Sequence, residues 1–425
     1  MLSAAQSIAR MQQIAAPGMK MGLERTKALL SALGDPQEKL RVIHVAGTNG
    51  KGSFSAMLSS VLTAQGFKTG SFNSPAMLEL SDQFGINCKS VPEPALAEAI
   101  NAVCDAAEAL SDTPTEFEMI TAAAFRLFFR ESCDICVMEC GMGGDTDSTN
   151  VISSPLLSVI TNVAVDHAAF LGSTTAEIAS HKAGIIKQGR PVYFGGNDPQ
   201  ALKVISERAD ALSAKLYLPE RESVRFLDSN SCTEFVYKHR KLSCPLRGVY
   251  QQDNIINVLS CIDILRSLGI KITSEAVKQG LSEVRWPGRF ETLSSEPKMI
   301  FDGAHNPDGM QSLCESIKLY YPDRKPVLLI GVLADKDYRL YADMLKPLVR
   351  CAFAVTPGVQ RALPAEDLSR CFNENGIMTK PCESIASGFE AACACAEENA
   401  APLITAGSLY MYKDIYDAVK AHKSK

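Results

Sequence analysis

The stretch that decides the fold is VIHVAGTNGKGSFSAMLSSVL, residues 42–62. It begins with an apolar run typical of a buried strand, turns through several glycines and continues with the pattern of a helix. The glycines let backbone N–H groups face a bound anion, and the helix directs its positive end to the same point. Lys51 adds a positive charge, and Ser53 adds a hydroxyl suited to phosphate or Mg²⁺. The residues predicted to bind nucleotide phosphates are Gly47, Thr48, Asn49, Gly50, Lys51, Gly52 and Ser53.

The spacing of this motif leaves an alternative open. G-x-x-G-K-G-S is tighter than the usual G-x-x-x-x-G-K-[ST], so the motif alone is a weak signal. The strand before it and the helix after it are what phosphate binding requires. The alternative is a glycine-rich turn with a solvated lysine.

The rest of the chain alternates apolar runs with helical patterns, which favours parallel sheets covered on both faces. The segment 205–247 contains short strand candidates with polar flanks and is predicted to be a small antiparallel insert. A break in the pattern at Pro287 and Gly288 precedes a new strand. The fold class predicted is α/β, with a P-loop-type, mostly parallel ATPase domain over residues 1–295 and a smaller Rossmann-like domain over 296–425.

Ion-binding side chains follow two further predicted strands. Glu139 ends the run ICVME, and Asp166 and His167 follow VITNVAV. Ligands of open α/β sheets gather beyond the carboxyl ends of the strands, so Glu139 is a candidate Mg²⁺ ligand. The alternatives are a structural carboxylate that is paired with an arginine or caps a helix, and a hydrogen-bonded structural histidine. Lys182, in ASHKAGIIKQG, is taken from the residues alone as a solvated lysine on a helix face.

Composition limits the class of protein. Hydrophobic residues make up 46% and charged residues 21% of the chain, as in globular proteins, and the net charge of −5 argues against general binding of nucleic acid or anionic membrane. The sequence contains no apolar run long enough to span a membrane and no signal-peptide core, so a cytoplasmic protein is expected. The fourteen cysteines are scattered and are predicted to be reduced thiols, most of them buried.

Taken together, the motifs closely resemble the folylpolyglutamate synthase and dihydrofolate synthase family, a branch of the Mur-type amide ligases. The resemblance runs nearly from end to end. After the glycine-rich loop, the motifs that carry it are SPAMLELSDQFGIN, TEFEMITAAAF, ECGMGGDTDSTNVI, SVITNVAVDHAAFLGSTTAEIASHKAGIIK, WPGRFE, FDGAHNPDG, VLADKDY and ITAGSLYMYKDI.

The resemblance implies roles for particular residues. The Mg²⁺ ligands it implies are Ser53, Ser74, Glu139, His167 and Lys182. Lys182 would be carbamylated and would bridge to a second Mg²⁺. The nucleotide contacts it implies beyond the loop are Asn254, Arg289 and Asp302. Lys51, Lys182 and His305 are the predicted catalytic residues, with His305 holding the phosphate or the transition state.

Three motifs depart from the family pattern. The family's H-Q-x-x-N-A reads YQQDNI here, with Tyr250 in place of the histidine and Ile255 in place of the alanine. The S-P-H-L motif reads SPAML, with Ala76 at the histidine position, and R-E-K-A-G-I reads SHKAGI. Contacts to a pterin near Ser74 and Asp147 are the part of the prediction that these changes affect.

The implied activity is an ATP-dependent amide ligase that joins L-glutamate to folate through an acyl phosphate, with ATP and Mg²⁺ as cofactors. Dihydropteroate is a second possible acid, and the sequence does not decide between the two. The competing hypotheses are a P-loop ATPase or kinase in a regulatory role and a peptidoglycan-type Mur ligase. The expected partners are small molecules, without nucleic acid or membrane, and the expected state is a monomer.

Overall fold

A computed structural model describes residues 2–18, 20–227, 232–296 and 298–423. The chain divides into two compact units. The N-terminal unit consists of Met1–Phe226, Phe235–Ser243 and Asp253–Val284. The C-terminal unit consists of Leu227–Glu234, Cys244–Gln252 and Arg285–Lys425. The domain boundary after residue 295 stays a prediction.

The N-terminal unit contains an eight-stranded sheet in the order β4-β3-β2-β5-β1-β6-β7-β8. The six strands β2, β5, β1, β6, β7 and β8 are parallel to one another. Strands β3 and β4 add an antiparallel edge beside β2. The strands are β1 (Val42–Ala46), β2 (Thr69–Phe72), β3 (Phe84–Ile86), β4 (Lys89–Ser90), β5 (Ile135–Glu139), β6 (Leu157–Ile160), β7 (Val192–Phe194) and β8 (Leu216–Tyr217). Because β1 lies between β5 and β6, the ends of all three strands meet at one edge, as predicted.

Helices cover this sheet. They are α1 (Ala4–Ile14), α2 (Glu24–Ala32), α3 (Lys51–Ala64), α4 (Glu93–Glu108), α5 (Glu116–Arg130), α6 (Ala168–Leu171), α7 (Thr175–Ala183), α8 (Pro199–Ala211), α9 (Gln251–Ser267) and α10 (Ser274–Glu283). The N-terminus of α5 is a capping box, in which Thr115 accepts from the N–H of Glu118 and the Glu118 side chain bonds back. The apolar face of α5 packs with α4 against Val42 and Met138 of the sheet.

Three short strands form a separate sheet in the order β11-β10-β9, namely β9 (Val224–Leu227), β10 (Thr233–Tyr237) and β11 (Arg240–Cys244). Lys238 and His239, the two residues between β10 and β11, have φ of 47° and 64°. A two-residue turn with both φ positive joins antiparallel strands. The predicted small insert is therefore present, but it begins at Val224, because the earlier part of the predicted segment 205–247 contains the end of α8 and strand β8 of the parallel sheet.

The C-terminal unit contains a six-stranded sheet in the order β12-β13-β17-β14-β15-β16, in which only β12 is antiparallel. Its strands are β12 (Glu291–Ser295), β13 (Lys298–Phe301), β14 (Val327–Ile330), β15 (Cys351–Ala354), β16 (Thr379–Pro381) and β17 (Leu403–Ala406). Its helices are α11 (Pro307–Tyr320), α12 (Tyr338–Leu345), α13 (Ala365–Glu374), α14 (Ile385–Glu398) and α15 (Tyr412–Lys423). The α/β class and the smaller second α/β domain are confirmed.

Two predicted bounds differ from the structure. The third predicted strand ends at Ile160, so Asp166 and His167 lie beyond a loop and not at the strand end itself. The helical pattern predicted over residues 174–189 ends in the structure at Ala183, and Gly184, the next residue, packs closely on the backbone of Asp145.

Candidate functional site

The glycine-rich loop has the backbone geometry that its sequence predicts. Gly50, with φ of 82°, is the residue before α3, and Lys51 is the first residue of that helix. Gly47 has φ of 154°, and a Cβ there would lie 1.9 Å from Oγ1 of Thr161. Lys51 Nζ donates to the carbonyl oxygens of Gly47 and Thr48, at 3.1 and 3.3 Å. The loop therefore folds around its own lysine at the N-terminus of α3, where an anion is favoured.

The segment after β6 holds this loop in place. Asn162 accepts from the N–H of Asn49 through its side chain at 2.7 Å and from the N–H of Thr48 through its carbonyl at 3.1 Å. Thr161 Oγ1 donates to the carbonyl of Asn49 at 2.7 Å. Thr48 Oγ1 accepts from the N–H of Ala164 at 3.0 Å. Sequence reasoning missed Thr161 and Asn162, although two polar residues directly after an apolar strand were the available signal.

Asn254 lies beside the loop. A Cβ built on Gly50 would lie 2.4 Å from Oδ1 of Asn254, which stands in the first turn of α9. Asn254 is 4% exposed. The structure therefore brings this predicted nucleotide contact to the loop, despite the changes in the surrounding motif.

Glu139, at the end of β5, is buried, and its Oε1 lies 4.0 Å from Lys51 Nζ. Ser53, in the first turn of α3, is also buried. Ser74 is half-buried and follows β2, which pairs with β5. His167 is half-buried and precedes α6, and its N–H donates to Oδ1 of Asp166 at 2.8 Å.

Within the described ranges, no three His, Cys, Asp or Glu side chains come together as a metal cluster. The predicted Mg²⁺ set contains only two such residues, Glu139 and His167. Its other members are hydroxyls and a lysine. The carboxylate and the two hydroxyls fit Mg²⁺, which prefers hard oxygen ligands, keeps several waters and uses one or two carboxylates together with substrate phosphates.

Lys182 is buried, at 3% exposed, so its interpretation from the residues alone as a solvated lysine is wrong. Burial lowers the pKa of Lys182 to about 7, and the charge of Lys51 acts in the same direction. The charges of Asp147 and Asp166 oppose this shift. Near neutral pH a large fraction of this amine is uncharged.

The end of α7 that carries Lys182 is locked against the turn after β5. The N–H of Asp145 donates to the carbonyl of His181 at 2.9 Å, and His181 Nδ1 lies 3.0 Å from Asp145 Oδ2. A Cβ on Gly144 would lie 2.7 Å from that carbonyl, and one on Gly184 would lie 2.4 Å from Asp145 Cα. These approaches fix Lys182 relative to the turn.

A buried polar network lies beneath the same turn. His44 Nε2 lies 2.8 Å from Thr149 Oγ1 and 3.2 Å from Cys140 Sγ. Thr149 Oγ1 donates to Asp147 Oδ1, and the N–H of Met142 donates to Oδ2 of the same carboxylate at 2.9 Å. Burial lowers the pKa of His44 to about 3 and raises the pKa of Asp147. His44 is therefore neutral at physiological pH.

In the C-terminal unit, Asp302 follows β13 and is 3% exposed. The Arg289 side chain lies close to Gly303, the residue after Asp302, since a Cβ on Gly303 would lie 2.3 Å from Arg289 Nη1. His305 Nδ1 lies 2.7 Å from the carbonyl of Gly303, and Tyr341 donates to the His305 carbonyl at 2.9 Å. The structure therefore groups Arg289, Asp302 and His305, the three site residues predicted in this part of the chain, around the turn after β13.

Comparison with known families agrees with this arrangement. Residues 45–264 match the Mur ligase middle domain, and residues 288–409 match the Mur ligase glutamate ligase domain. The fold is accordingly that of a Mur-type ligase.

Individual relatives narrow the class. The chain is 35% identical to the folylpolyglutamate synthase of Lacticaseibacillus casei over 94% of this chain and 95% of that protein. It is similar in structure to Escherichia coli FolC in complex with DHPP and ADP, with a TM-score of 0.86, 28% identity and 99% of both chains covered. It is also similar to Mycobacterium tuberculosis folylpolyglutamate synthase complexed with ADP and AMPPCP, with a TM-score of 0.87, 26% identity, and 98% of this chain and 99% of that chain covered. The chain belongs to the folylpolyglutamate synthase and dihydrofolate synthase family.

Proposed function

We propose that this protein is an ATP-dependent ligase that joins L-glutamate to a folate-type acid through an acyl phosphate. The observation that carries the proposal is the loop at the N-terminus of α3, with Lys51 Nζ 4.0 Å from the buried carboxylate of Glu139. The complexes of E. coli FolC with DHPP and ADP and of the M. tuberculosis enzyme with ADP and AMPPCP support nucleotide and acid as ligands.

The chain's own residues supply positioning and charge. Phosphoryl transfer depends mainly on holding the phosphates in line and on neutralising their charge. On nucleotide binding, Lys51 would exchange the carbonyls of Gly47 and Thr48 for phosphate oxygens. Asn254 would contact the nucleotide beside the loop, and Arg289 would contribute a second cation. His305 would hold the transferred phosphate or the transition state.

Mg²⁺ would be held by Ser53, Ser74, Glu139 and His167, and it would supply charge neutralisation for the phosphate oxygens. Lys182 is proposed as a ligand of a second Mg²⁺ after carbamylation. In that reaction the neutral amine adds to CO₂ and releases one proton, which leaves an anionic carbamate. The lowered pKa of Lys182 supports this step, because only the uncharged amine reacts.

The other hypotheses have less support. A regulatory P-loop ATPase or kinase does not need the second α/β unit that matches the Mur ligase glutamate ligase domain. A peptidoglycan-type ligase is disfavoured because the relatives cited above are folate enzymes. Dihydropteroate stays a second possible acid beside the reduced folates.

The experiment that tests the proposal is a coupled assay of ADP release. We expect release when ATP, L-glutamate and a reduced folate are all present, and little release when glutamate or the acid is left out, because an acyl phosphate is protected from water until the amine arrives. Dihydropteroate is the second acid to test, and its acceptance would make the enzyme bifunctional. Lys51→Ala is the matched inactive variant. Glutamate-dependent release with a UDP-linked muropeptide precursor alone would refute the folate assignment.

We also propose a cytoplasmic monomer. Along the described ranges, no helix is long and apolar enough to cross a membrane. The net charge of −5 supports small-molecule substrates over nucleic acid. Light scattering of the purified protein tests the monomer directly, and a mass near twice 45.9 kDa would contradict it.

A further inference from the structure

The carboxylate of Asp302 receives three hydrogen bonds from its own unit. Oδ2 accepts from the hydroxyl of Tyr250 at 2.6 Å and from the N–H of Phe290 at 2.9 Å. Oδ1 accepts from the N–H of Ala304 at 2.9 Å. Two of these donors are backbone groups next to Asp302 or in the turn that carries Arg289. The third is a side chain that comes from more than fifty residues earlier in the sequence.

The three hydrogen bonds are shared unequally between the two carboxylate oxygens of Asp302: two reach Oδ2 and one reaches Oδ1. An ionised carboxylate offers about four acceptor positions, two on each oxygen. Tyr250 and Phe290 together fill Oδ2. Oδ1 holds one protein donor and has one acceptor position left, so a ligand hydroxyl or amine that bonds this carboxylate would bond Oδ1.

Tyr250 is well placed to fix this arrangement. Its ring packs against the core of the C-terminal unit and over Gly248, where a Cβ would lie 2.8 Å from the ring. Burial raises the pKa of the Tyr250 phenol, so the hydroxyl stays protonated and stays a donor. Burial also raises the pKa of Asp302, and the hydrogen bond from Tyr250 opposes that shift by stabilising the charged carboxylate.

We propose that Tyr250 is a positioning residue for nucleotide binding: its hydroxyl occupies Oδ2 of Asp302 and thereby fixes the carboxylate with Oδ1 open to the nucleotide. This inference rests on the proposed function, in which Asp302 contacts ATP. Tyr250 stands where the family motif carries a histidine. If the bond were only structural, its loss would weaken folding without a selective effect on nucleotide affinity.

The test is Tyr250→Phe, which keeps the ring and removes the hydroxyl. Affinity for ADP is measured by titration with a fluorescent ADP analogue, and KM values for ATP and glutamate are measured in steady state. We expect the affinity for ADP to fall about five- to tenfold, because one hydrogen bond to a charged group is lost. KM for ATP should rise by a similar factor, while KM for glutamate stays within about twofold. Tyr320→Phe is the control, because that ring belongs to the same core cluster and its hydroxyl does not bond Asp302.

A double-mutant cycle completes the test. In the background Asp302→Ala, adding Tyr250→Phe should cause no further loss of ADP affinity, since the first change already removes the acceptor of the Tyr250 hydroxyl. Unchanged ADP affinity in Tyr250→Phe, or an equal loss in Tyr320→Phe, would overturn the inference and leave the proposed function standing. Failure of the unmodified protein to bind ADP would overturn both.

Discussion

At the scale of single residues, Lys182 shows how far burial changes the chemistry of a side chain. A lysine on a short helix is usually solvated, yet this one is buried and its pKa lies near 7. Below that pH the amine is protonated and cannot form a carbamate. Above it the neutral amine is available, so activity should rise as pH increases through about 7.

The corresponding prediction concerns Lys182→Ala. This variant should lose at least about a hundredfold in kcat, since an anionic ligand of the proposed second metal ion is removed. A small carboxylate such as acetate should restore part of the activity by standing in for the carbamate. Lys187→Ala, on the loop just after the same helix, is the control. Full activity of Lys182→Ala without acetate would show that the lysine has no catalytic role.

His44 makes a second prediction, about stability and pH. Its pKa is about 3 in the fold and near 6.5 when unfolded, so below pH 6.5 the unfolded chain binds the additional proton. The free energy of unfolding should therefore fall by about 2 kcal/mol between pH 7 and pH 5 from this residue alone.

The measurement for His44 is urea unfolding at several pH values. His44→Gln removes the titrating ring, and although it lowers stability at pH 7, its stability should fall less steeply toward pH 5. His239→Asn changes an exposed histidine and should keep the steep dependence of the unmodified chain. Equal slopes for His44→Gln and the unmodified chain would contradict the assignment.

At the scale of elements, α3 is held by its contact with α10. Gly280 lies so close to α3 that a Cβ there would be 2.4 Å from Val61 Cα, and Ser60 Oγ donates to the Gly280 carbonyl at 2.7 Å. Because α3 begins with Lys51, the seating of α10 bears on the phosphate loop.

Gly280→Ala should destabilise the protein by about 2 kcal/mol or more, although alanine has the higher helix propensity by about 1 kcal/mol. The reason is that the overlap is with backbone atoms, which cannot rotate away. Thermal unfolding is the measurement, and Lys278→Ala on the exposed face of α10 should stay near the unmodified midpoint. An increase in the thermal midpoint for Gly280→Ala would mean that α10 can shift away from α3 without losing stability, which would contradict the prediction.

The elements also show what the sequence could predict. The apolar strands β1 and β5 were predicted, because their side chains are buried on both faces and read as continuous hydrophobic runs. Strand β2, TGSF, was missed because it is short and contains no branched aliphatic residue. Its Gly70 is required by packing, since a Cβ would lie 2.9 Å from the ring of Phe128. That requirement comes from a helix far away in sequence, which local patterns do not encode.

The same limit applies to the site. The phosphate loop was predicted from local sequence, because its glycines, lysine and flanking elements are contiguous. Ser74 and the proposed metal role of Lys182 required the family resemblance. Two hydrogen bonds appeared only in the structure: the one from the Asn49 N–H to the Asn162 side chain and the one from the Tyr250 hydroxyl to Asp302. Each joins segments more than fifty residues apart in the sequence.

At the scale of the whole molecule, the two compact units are not two consecutive halves of the sequence, because each unit is built from several separate segments. The stretch Cys244–Gln252 belongs to the C-terminal unit, but it is followed by Asp253–Val284, which belongs to the N-terminal unit. Within the C-terminal unit, the N–H of Val249 donates to Ser316 Oγ at 3.1 Å, and Arg247 Nη1 donates to Thr292 Oγ1 at 3.1 Å. The stretch therefore supplies contacts that residues 285–425 cannot make by themselves.

This interleaving has a consequence for synthesis on the ribosome. Tyr250 and Arg247 leave the exit tunnel well before Asp302 and Ser316 have been translated, so the nascent chain must carry an unpartnered stretch while the N-terminal unit finishes folding. A fragment that starts at residue 285 would lack residues 244–252 and their contacts with the rest of the C-terminal unit. Limited proteolysis should therefore digest the fragment faster than the full-length chain. A synthetic peptide covering residues 244–252, added in trans, should slow that digestion.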